Sequence, residues 1–188
     1  SKVEVLRRQE MSRDLELVRE RNRELGLISK YDELTGLLNL RGFTEQIKNF
    51  CSKSEHQRAY IICADLDHLK EINDTWGHPA GNFALRSVAN IFNGCLRSQD
   101  VVARTGGDEF LILLNCQERN FQDIFRKRVR DACAAFNAES GKPFLVEVSL
   151  GITEFKPSPE TDIPAIIEHA DKDLYEAKKL RKNSVRRP

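Results

Sequence analysis

One short stretch constrains the fold more than any other part of the chain. Residues 101–114 read VVARTGGDEFLILL, with an apolar run rich in Val, Ile and Leu on each side of Thr-Gly-Gly-Asp. Apolar runs of this length around a glycine turn predict two antiparallel strands joined as a β-hairpin. The glycines have no Cβ, so the backbone can adopt positive φ and a bulky ligand can approach it closely. The chain is therefore expected to contain an antiparallel strand pair whose turn is accessible to a ligand.

Two adjacent carboxylates, Asp108 and Glu109, directly follow these glycines. Like charges repel each other, so a purely structural hairpin rarely places two of them beside its turn. Hard carboxylate oxygens are also the ligands that Mg²⁺ prefers. Two interpretations remain open at this point, namely a solvated acidic turn or a site for a divalent cation and a polyphosphate.

A third carboxylate is expected to join this pair. Residues 58–64, RAYIICA, form a continuous apolar run that predicts a central strand covered on both faces, and Asp65 follows it directly. If the hairpin lies beside this strand, Asp65 comes close to Asp108 and Glu109. Three converging carboxylates repel strongly unless a cation neutralises them. The alternative role for Asp65 is that of N-cap for the next helix.

Composition excludes several classes of function. The chain has 188 residues, enough for one domain with an appendage, and a formal net charge of +1. Without a basic field, neither DNA nor RNA is an expected partner. No apolar run reaches the roughly 20 residues of a membrane helix, so no membrane contact is expected within this segment. The five cysteines are odd in number and lack C-x-x-C, which predicts reduced core thiols in a cytoplasmic protein.

The first residues are predicted to form a helix, residues 1–30, that precedes a domain of residues 31–188. Positions at the 4-3-4-3 spacing of a coiled-coil seam are occupied by Met11, Leu15, Val18, Asn22 and Leu25. An Asn at an a-like position is typical of two-stranded coiled coils. Because the seam is short, a helix that packs on its own domain is the alternative.

The remainder of the chain alternates between predicted helices and strands. Amphipathic patterns predict a helix that Asn39 caps and that runs to about residue 51, with further helices at residues 83–96, 121–137 and 163–180. An alternating pattern predicts a strand at residues 144–152. Alternation of this kind is typical of α/β folds.

Residues 106–110, GGDEF, resemble the signature of the GGDEF family, the diguanylate cyclases. Residues 32–43, DELTGLLNLRGF, are similar to the family's D-x-L-T-G-L-x-N-R-R-x-F, with Leu40 in place of the first Arg. Residues 69–82, LKEINDTWGHPAGN, are similar to F-K-x-I-N-D-x-x-G-H-x-x-G-D, and residues 170–178, ADKDLYEAK, to A-D-x-A-L-Y-x-A-K. These motifs occur in the family's order and extend the resemblance from about residue 32 to residue 185.

The resemblance implies a palm-like α/β (α+β) fold, with a central and mainly antiparallel sheet flanked by helices, as in nucleotide cyclases. It implies that a homodimer condenses two GTP into cyclic di-GMP and two pyrophosphates, with two Mg²⁺ (or Mn²⁺) ions per active site. In this family a helix such as residues 1–30 commonly joins an upstream sensor to the catalytic domain. The chain is accordingly expected to be the cytoplasmic end of a longer sensor protein.

The resemblance also implies roles for individual residues. The implied metal ligands are Asp65, the carbonyl of Leu66, Asp108 and Glu109, of which Asp108 or Glu109 also helps to deprotonate the attacking hydroxyl. The implied substrate-binding residues are Lys70, Asn73, His78, Asn82, Lys178 and Lys182. Arg97 and Asp100 form an R-x-x-D motif at the spacing of the family's inhibitory product site.

Asn82 departs from the family pattern, which has Asp at this position. A carboxylate accepts hydrogen bonds from both N1–H and N2–H of guanine, whereas Asn offers one acceptor oxygen and an NH₂ group that would face a donor. A contact in which two donors face each other costs about 1–3 kcal/mol of binding free energy. Two functions therefore remain open: an active diguanylate cyclase, or a catalytically weak or altered-specificity domain that binds GTP or cyclic di-GMP as a receptor. A third possible function is that of a module that serves only for dimerisation through its coiled coil.

Overall fold

The computed structural model describes residues 2–24, 29–53 and 58–184. The described helices are α1 (Lys2–Glu24), α2 (Leu40–Ser52), α3 (Leu69–Trp76), α4 (His78–Cys95), α5 (Phe121–Ser140) and α6 (Ile163–Ser184). The described strands are β1 (Ala59–Leu66), β2 (Val101–Gly106), β3 (Glu109–Leu114) and β4 (Val148–Phe155).

The strands form one antiparallel sheet in the order β2-β3-β1-β4. The predicted hairpin is confirmed as β2 and β3, and the predicted central strand as β1. Because β1 pairs with a neighbour on each side, it continues through Leu66 instead of stopping at residue 64. Asp65 is therefore a residue within the strand, and its alternative role as a helix N-cap is wrong.

Helices cover both faces of the sheet, as the continuous apolar run of β1 predicts. Alternate β1 residues such as Tyr60 and Ile62 pack against α4 and α5, while Ile61 and Cys63 pack against α2 and α6. All five cysteines are buried and free, and burial raises the pKa of Cys63 to about 12. The prediction of reduced core thiols is confirmed.

Several element boundaries differ from the predicted ones. Asn39 does cap α2, since its Oδ1 accepts from Gly42 N at 3.0 Å. Helix α4 begins at His78 instead of residue 83, and α5 and α6 extend past residues 137 and 180, because exposed polar turns lack the apolar periodicity on which the prediction depended. Strand β4 begins late because the side chain of Asn137 hydrogen-bonds both backbone groups of Val146, at 2.8 and 2.9 Å.

Helix α1 exposes its apolar side chains. Among its described side chains, the larger apolar ones are each at least 53% exposed: Val3, Val5, Leu6, Met11, Leu15, Leu17 and Val18. These side chains do not pack on the domain that follows, which argues against the alternative of a self-packed helix. Leu25 of the predicted seam lies outside the described residues, and the coiled coil stays a prediction. Within the described ranges, no helix is long and apolar enough to cross a bilayer.

Helix α6 lies very close to the sheet at Gly151 on β4. A Cβ at this position would lie 2.0 Å from the carbonyl oxygen of Ala170 and 2.3 Å from the backbone nitrogen of Leu174. The carboxylate of Asp173, on the same helix, accepts from Ile152 N at 2.8 Å and from Arg126 Nη2 at 2.7 Å. These contacts fix the position of α6 on the sheet.

Replacing Gly151 by Ala should lower the free energy of unfolding by about 1–3 kcal/mol or more, because backbone atoms of α6 would have to move away from the sheet. Gly94→Ala is the matched control, since Gly94 lies in α4 and a Cβ there meets no atom within 4 Å. That control should be neutral or stabilising by up to about 1 kcal/mol. Urea unfolding followed by circular dichroism measures both, and equal losses for the two variants would contradict the close approach of α6.

Candidate active site

The strand pairing brings three carboxylates together. In the register of the sheet, Asp65 lies opposite Glu109 of β3. Residues directly opposite each other across antiparallel strands share a face, with Cβ atoms about 4.5–5.5 Å apart. Leu66 N donates to the carbonyl oxygen of Asp108 at 3.0 Å, which brings the turn to the end of β1. The end of β1 and the β2–β3 turn therefore form one acidic rim.

The turn depends on its two glycines. Gly106 has φ of 151° and Gly107 has φ of 50°, conformations that residues with a side chain rarely adopt. The strand register shifts between Arg104 and Gly106, so the turn is accompanied by a β-bulge. The predicted positive φ values are confirmed. The turn that they form leads through Asp108 to Glu109, the first residue of β3.

Two of the three carboxylates, those of Asp108 and Glu109, have raised pKa values. Burial raises the pKa of Asp108, and the nearby charge of Asp65 raises it further. Burial likewise raises the pKa of Glu109, with contributions from Asp65 and Asp108. Burial is the largest cause of both shifts, and the neighbouring negative charges add to it.

Lys178 of α6 supplies a positive charge to this rim. Its Nζ donates a hydrogen bond to Oδ2 of Asp65. Burial alone would lower the pKa of Lys178, but the hydrogen bond and charge of Asp65, with the charges of Asp67 and Asp108, outweigh it and raise the pKa. An ammonium group therefore lies on the carboxylate that is expected to bind metal.

The donor atoms at the rim fit a hard divalent cation. They are the carboxylates of Asp65, Asp108 and Glu109, and no sulfur or imidazole donor belongs to the expected set. Within residues 2–24, 29–53 and 58–184, however, no three His, Cys, Asp or Glu side chains are already arranged around a metal position. Oxygen donors are present, but they are not preassembled.

A cavity of about 870 Å³ opens beside these carboxylates, between α2 and α6. Its lining is mainly apolar and includes Cys63, Ile167 and Leu174, with Asp65 and Glu109 at one side. Pockets that bind small molecules have volumes of about 300–1,000 Å³. Asp65 and Glu109 therefore border open space that a ligand can enter.

Helices α3 and α4 carry four of the six residues expected to bind the substrate. These two helices pack on the face of the sheet opposite α2 and α6. Lys70, His78 and Asn82 are exposed, and Asn73 is partly buried. A Cβ at Gly81 would lie 1.9 Å from Oδ1 of Asn73, so the carboxamide of Asn73 rests directly on the backbone next to Asn82. Sequence analysis missed this role of Gly81, although the residue lies inside the motif at residues 69–82.

Arg104 connects the active-site turn to the start of the domain. Its Nε and Nη2 donate to the carbonyl oxygen of Gly107 at 3.0 and 2.8 Å, and its Nη1 donates to Oδ1 of Asp32 at 2.8 Å. Asp32 Oδ2 also accepts from Thr35 N at 2.9 Å and from Thr35 Oγ1 at 2.7 Å. Sequence analysis placed Asp32 and Thr35 in the motif at residues 32–43 and gave Arg104 no role. Only the fold shows that the motifs meet.

Arg97 and Asp100 form a turn between α4 and β2. The carboxylate of Asp100 accepts from Arg97 N at 2.8 Å and from Asn115 N at 3.0 Å, and the side chain of Arg97 is exposed. Asp100 thus fixes the backbone beside an exposed guanidinium, and the product site stays a prediction. The side chain of Lys182 lies outside the described side chains, so its predicted phosphate contact also stays a prediction.

Replacing Asp32 by Asn should lower the free energy of unfolding at pH 7 by about 1–3 kcal/mol, because the largely buried Arg104 loses its charged partner. Burial opposes ionisation of Asp32, yet the hydrogen bonds from Thr35 and the charge of Arg104 hold its pKa below the ordinary 3.8. The ionised carboxylate therefore stabilises the fold above about pH 4, and this contribution is lost as the pH falls through the lowered folded-state pKa.

Chemical denaturation of wild type and Asp32→Asn between pH 7 and pH 3 tests this prediction. The difference between them should be full at pH 7 and should shrink on acidification. Asp131→Asn is the control, because Asp131 forms an exposed pair with Lys127 on α5 and should matter far less. A difference that does not change with pH would contradict the assigned ion pair.

Comparison with known proteins agrees with these features. Residues 29–184 match the profile of the family described as diguanylate cyclase, GGDEF domain. The chain is 36% identical over 126 residues to diguanylate cyclase A of Treponema denticola, covering 66% of this chain and 34% of that protein. It is 35% identical over 158 residues to diguanylate cyclase DosC of Escherichia coli, covering 82% of this chain and 34% of that protein. The chain thus spans about a third of these curated relatives.

Solved structures show the same fold. Diguanylate cyclase SiaD of Pseudomonas aeruginosa, in complex with its activator SiaC, has a TM-score of 0.71 and 32% identity, covering 93% of this chain and 69% of that chain. The coiled coil and GGDEF domain of DgcB from Caulobacter crescentus, in complex with c-di-GMP, has a TM-score of 0.69 and 25% identity, covering 92% of this chain and 93% of that chain. The predicted palm-like fold is confirmed. The profile match spans residues 29–184, which is most of the chain, so the chain belongs to the diguanylate cyclase GGDEF-domain family.

Proposed function

We propose that this chain is the catalytic domain of a diguanylate cyclase, which joins two GTP molecules into cyclic di-GMP with release of two pyrophosphates. The observation that carries the proposal is the register of β1 and β3, which sets Asp65 opposite Glu109 while the glycine turn adds Asp108. In each of two equivalent steps, a 3′-oxygen attacks the α-phosphate of the other nucleotide, loses its proton and displaces pyrophosphate.

Divalent metal ions are the cofactors typical of this family. We propose two Mg²⁺ (or Mn²⁺) ions per site, held by Asp65, the Leu66 carbonyl, Asp108 and Glu109. When bound, such ions lower the pKa of the attacking hydroxyl and stabilise charge on the α-phosphate and the leaving pyrophosphate. The oxygen-only donor set supports a hard cation.

The side chains of the rim also suit the proton transfer. A general base works best when its pKa lies near the operating pH. Burial and neighbouring carboxylates move the pKa values of Asp108 and Glu109 in that direction. Either carboxylate can accept the proton of the 3′-hydroxyl.

The nucleotide is expected to lie between the rim and helices α3 and α4. Lys178, Lys70 and Lys182 supply positive charge for the triphosphate. Asn73 and Asn82 offer carboxamides for the base, and Gly81 leaves the space that the carboxamide of Asn73 occupies. His78, exposed at the start of α4, completes the matched motif.

We propose that two copies of the chain act together. Cyclic di-GMP consists of two identical halves, so one GTP site on each of two facing domains supplies both halves. The exposed apolar side chains of α1 support pairing through a coiled coil in residues 1–30, and one structural relative was solved with its coiled coil. The substrate GTP supports a cytoplasmic location for the domain, next to an upstream sensor.

Incubation of the purified chain with GTP and Mg²⁺ should release pyrophosphate and yield cyclic di-GMP. Asp65→Asn and Glu109→Gln should each lower the rate by about 100-fold or more, because each removes charge from the metal rim. Glu139→Gln, at an exposed position of α5, is the matched control and should be unchanged. Full activity of Asp65→Asn or Glu109→Gln would contradict the proposed site.

A second candidate is a receptor for cyclic di-GMP, favoured by Asn82 and by the exposed guanidinium of Arg97 beside the turn that Asp100 fixes. Assays of product formation and of cyclic di-GMP binding on the same purified chain distinguish the cyclase from the receptor. Absence of product, together with cyclic di-GMP binding that Arg97→Ala abolishes, would support the receptor and overturn the cyclase.

Replacing Asn82 by Asp should tighten GTP binding by about 10- to 100-fold, because a carboxylate accepts from both guanine donors. ATP binding should not improve, since adenine has no N1–H to donate. Isothermal titration measures both nucleotides, and Asn90→Asp, at an exposed position of the same helix, controls for added negative charge. Equal GTP affinity of wild type and Asn82→Asp would remove Asn82 from the base site.

A further inference from the structure

We infer that Lys178 occupies the cation position on Asp65 in the ligand-free protein, so that metal and nucleotide bind cooperatively through this one side chain. The inference rests on the proposed nucleotide and metal site and goes beyond it. Lys178 then has two successive partners. It neutralises Asp65 before substrate arrives, and it transfers to a phosphate when the metal takes its place.

The direct evidence is the contact itself. Nζ of Lys178 donates to Oδ2 of Asp65, and the Asp65 side chain is only 15% exposed. A carboxylate with so little access to solvent has little room for an ammonium group and a divalent cation on the same oxygens. An ammonium group and a metal ion on one carboxylate also repel each other. We therefore infer that Lys178 and a metal ion compete for Oδ2 of Asp65.

Two of the expected metal ligands lie on paired strands. In the parts of the chain that the structure describes, no three potential ligand side chains surround a metal position. The register nevertheless holds the backbones of Asp65 and Glu109 opposite each other. The strands are thus already in place, and the cation bound at their rim is the lysine.

The lysine can change partners without movement of its helix. Gly151 and Asp173 fix α6 on the sheet, as the 2.0 Å distance from a Cβ at Gly151 to the Ala170 oxygen and the 2.8 Å bond from Ile152 N to Asp173 show. Lys178 carries its charge on a flexible four-carbon chain. Rotation of that side chain alone can move the ammonium group away from Asp65.

A triphosphate reverses the competition. Its anionic oxygens offer Lys178 a new partner, and Mg²⁺ is usually held by one or two carboxylates together with substrate phosphates. Nucleotide thus frees Asp65 for the metal. Because linkage is reciprocal, metal bound at Asp65 must strengthen nucleotide binding by the same factor. The protein without nucleotide should bind the metal only weakly.

The neighbouring lysines of α6 have other partners. Lys179 lies 3.6 Å from Glu176 and over the ring of Tyr175, and Lys172 lies 3.0 Å from Glu168. Lys179 is thus a matched control, since it has the same charge on the same helix but no contact with Asp65.

The test is Mn²⁺ binding to the nucleotide-free chain, measured by the electron paramagnetic resonance signal of free Mn²⁺. Lys178→Met should bind Mn²⁺ roughly tenfold more tightly than wild type, within the usual range of coupling between sites. Lys178→Arg, which keeps the charge, and Lys179→Met should both resemble wild type. Equal or weaker Mn²⁺ binding by Lys178→Met would overturn the inference.

Thermal unfolding provides a second readout on the same proteins. Lys178→Met leaves Asp65 without its partner, so Mn²⁺ should raise the melting temperature of this variant more than that of wild type. Lys178→Gln is the second variant, and equal Mn²⁺-induced shifts in wild type and both variants would overturn the inference. Neither readout uses GTP or turnover. A chain that makes no cyclic di-GMP but shows the Lys178→Met gain would contradict the proposed function and leave the competition between Lys178 and the metal supported.

Discussion

The antiparallel pairing of β1 with β3 is the interaction on which the rest of the molecule depends. Its register sets Asp65 opposite Glu109, and a shift by one residue would turn one of the two carboxylates to the other face of the sheet. The same register buries alternate β1 side chains against opposite helix layers. Packing of the two cores therefore enforces the position of the acidic rim, because the rim cannot slip without exposing apolar side chains.

Converging carboxylates are costly unless positive charge is supplied, and the protein supplies it from α6. That helix contributes Lys178 only because Gly151 allows it to approach β4 closely and Asp173 bonds to the backbone of that strand. The missing side chain at Gly151 on β4 thus allows the charge of Lys178 to lie beside Asp65 on β1. Burial and the charge of Asp65 still raise the pKa values of Asp108 and Glu109, although the charge of Lys178 opposes this rise.

The start of the domain is coupled to the same rim. Arg104 bonds to Asp32 and to the carbonyl of Gly107, so the segment that follows α1 is joined directly to the turn that carries Asp108. This ion pair is a physical connection between the first residues of the domain and the turn that carries Asp108. The exposed apolar side chains of α1 are where a second copy is expected to pair.

The sequence by itself determined the hairpin, the buried central strand, the positive φ at Gly106 and Gly107 and the family, because these depend on local patterns and on motifs at fixed spacing. It located Asp65, Asp108 and Glu109 and predicted that they meet if the hairpin joins β1. Tertiary structure alone decided that Arg104 bonds to Asp32, that Gly81 supports Asn73, and that Lys178 lies on Asp65. The physical reason is that these contacts join residues on different elements, where side-chain direction and close approach of helix and sheet depend on how the layers pack.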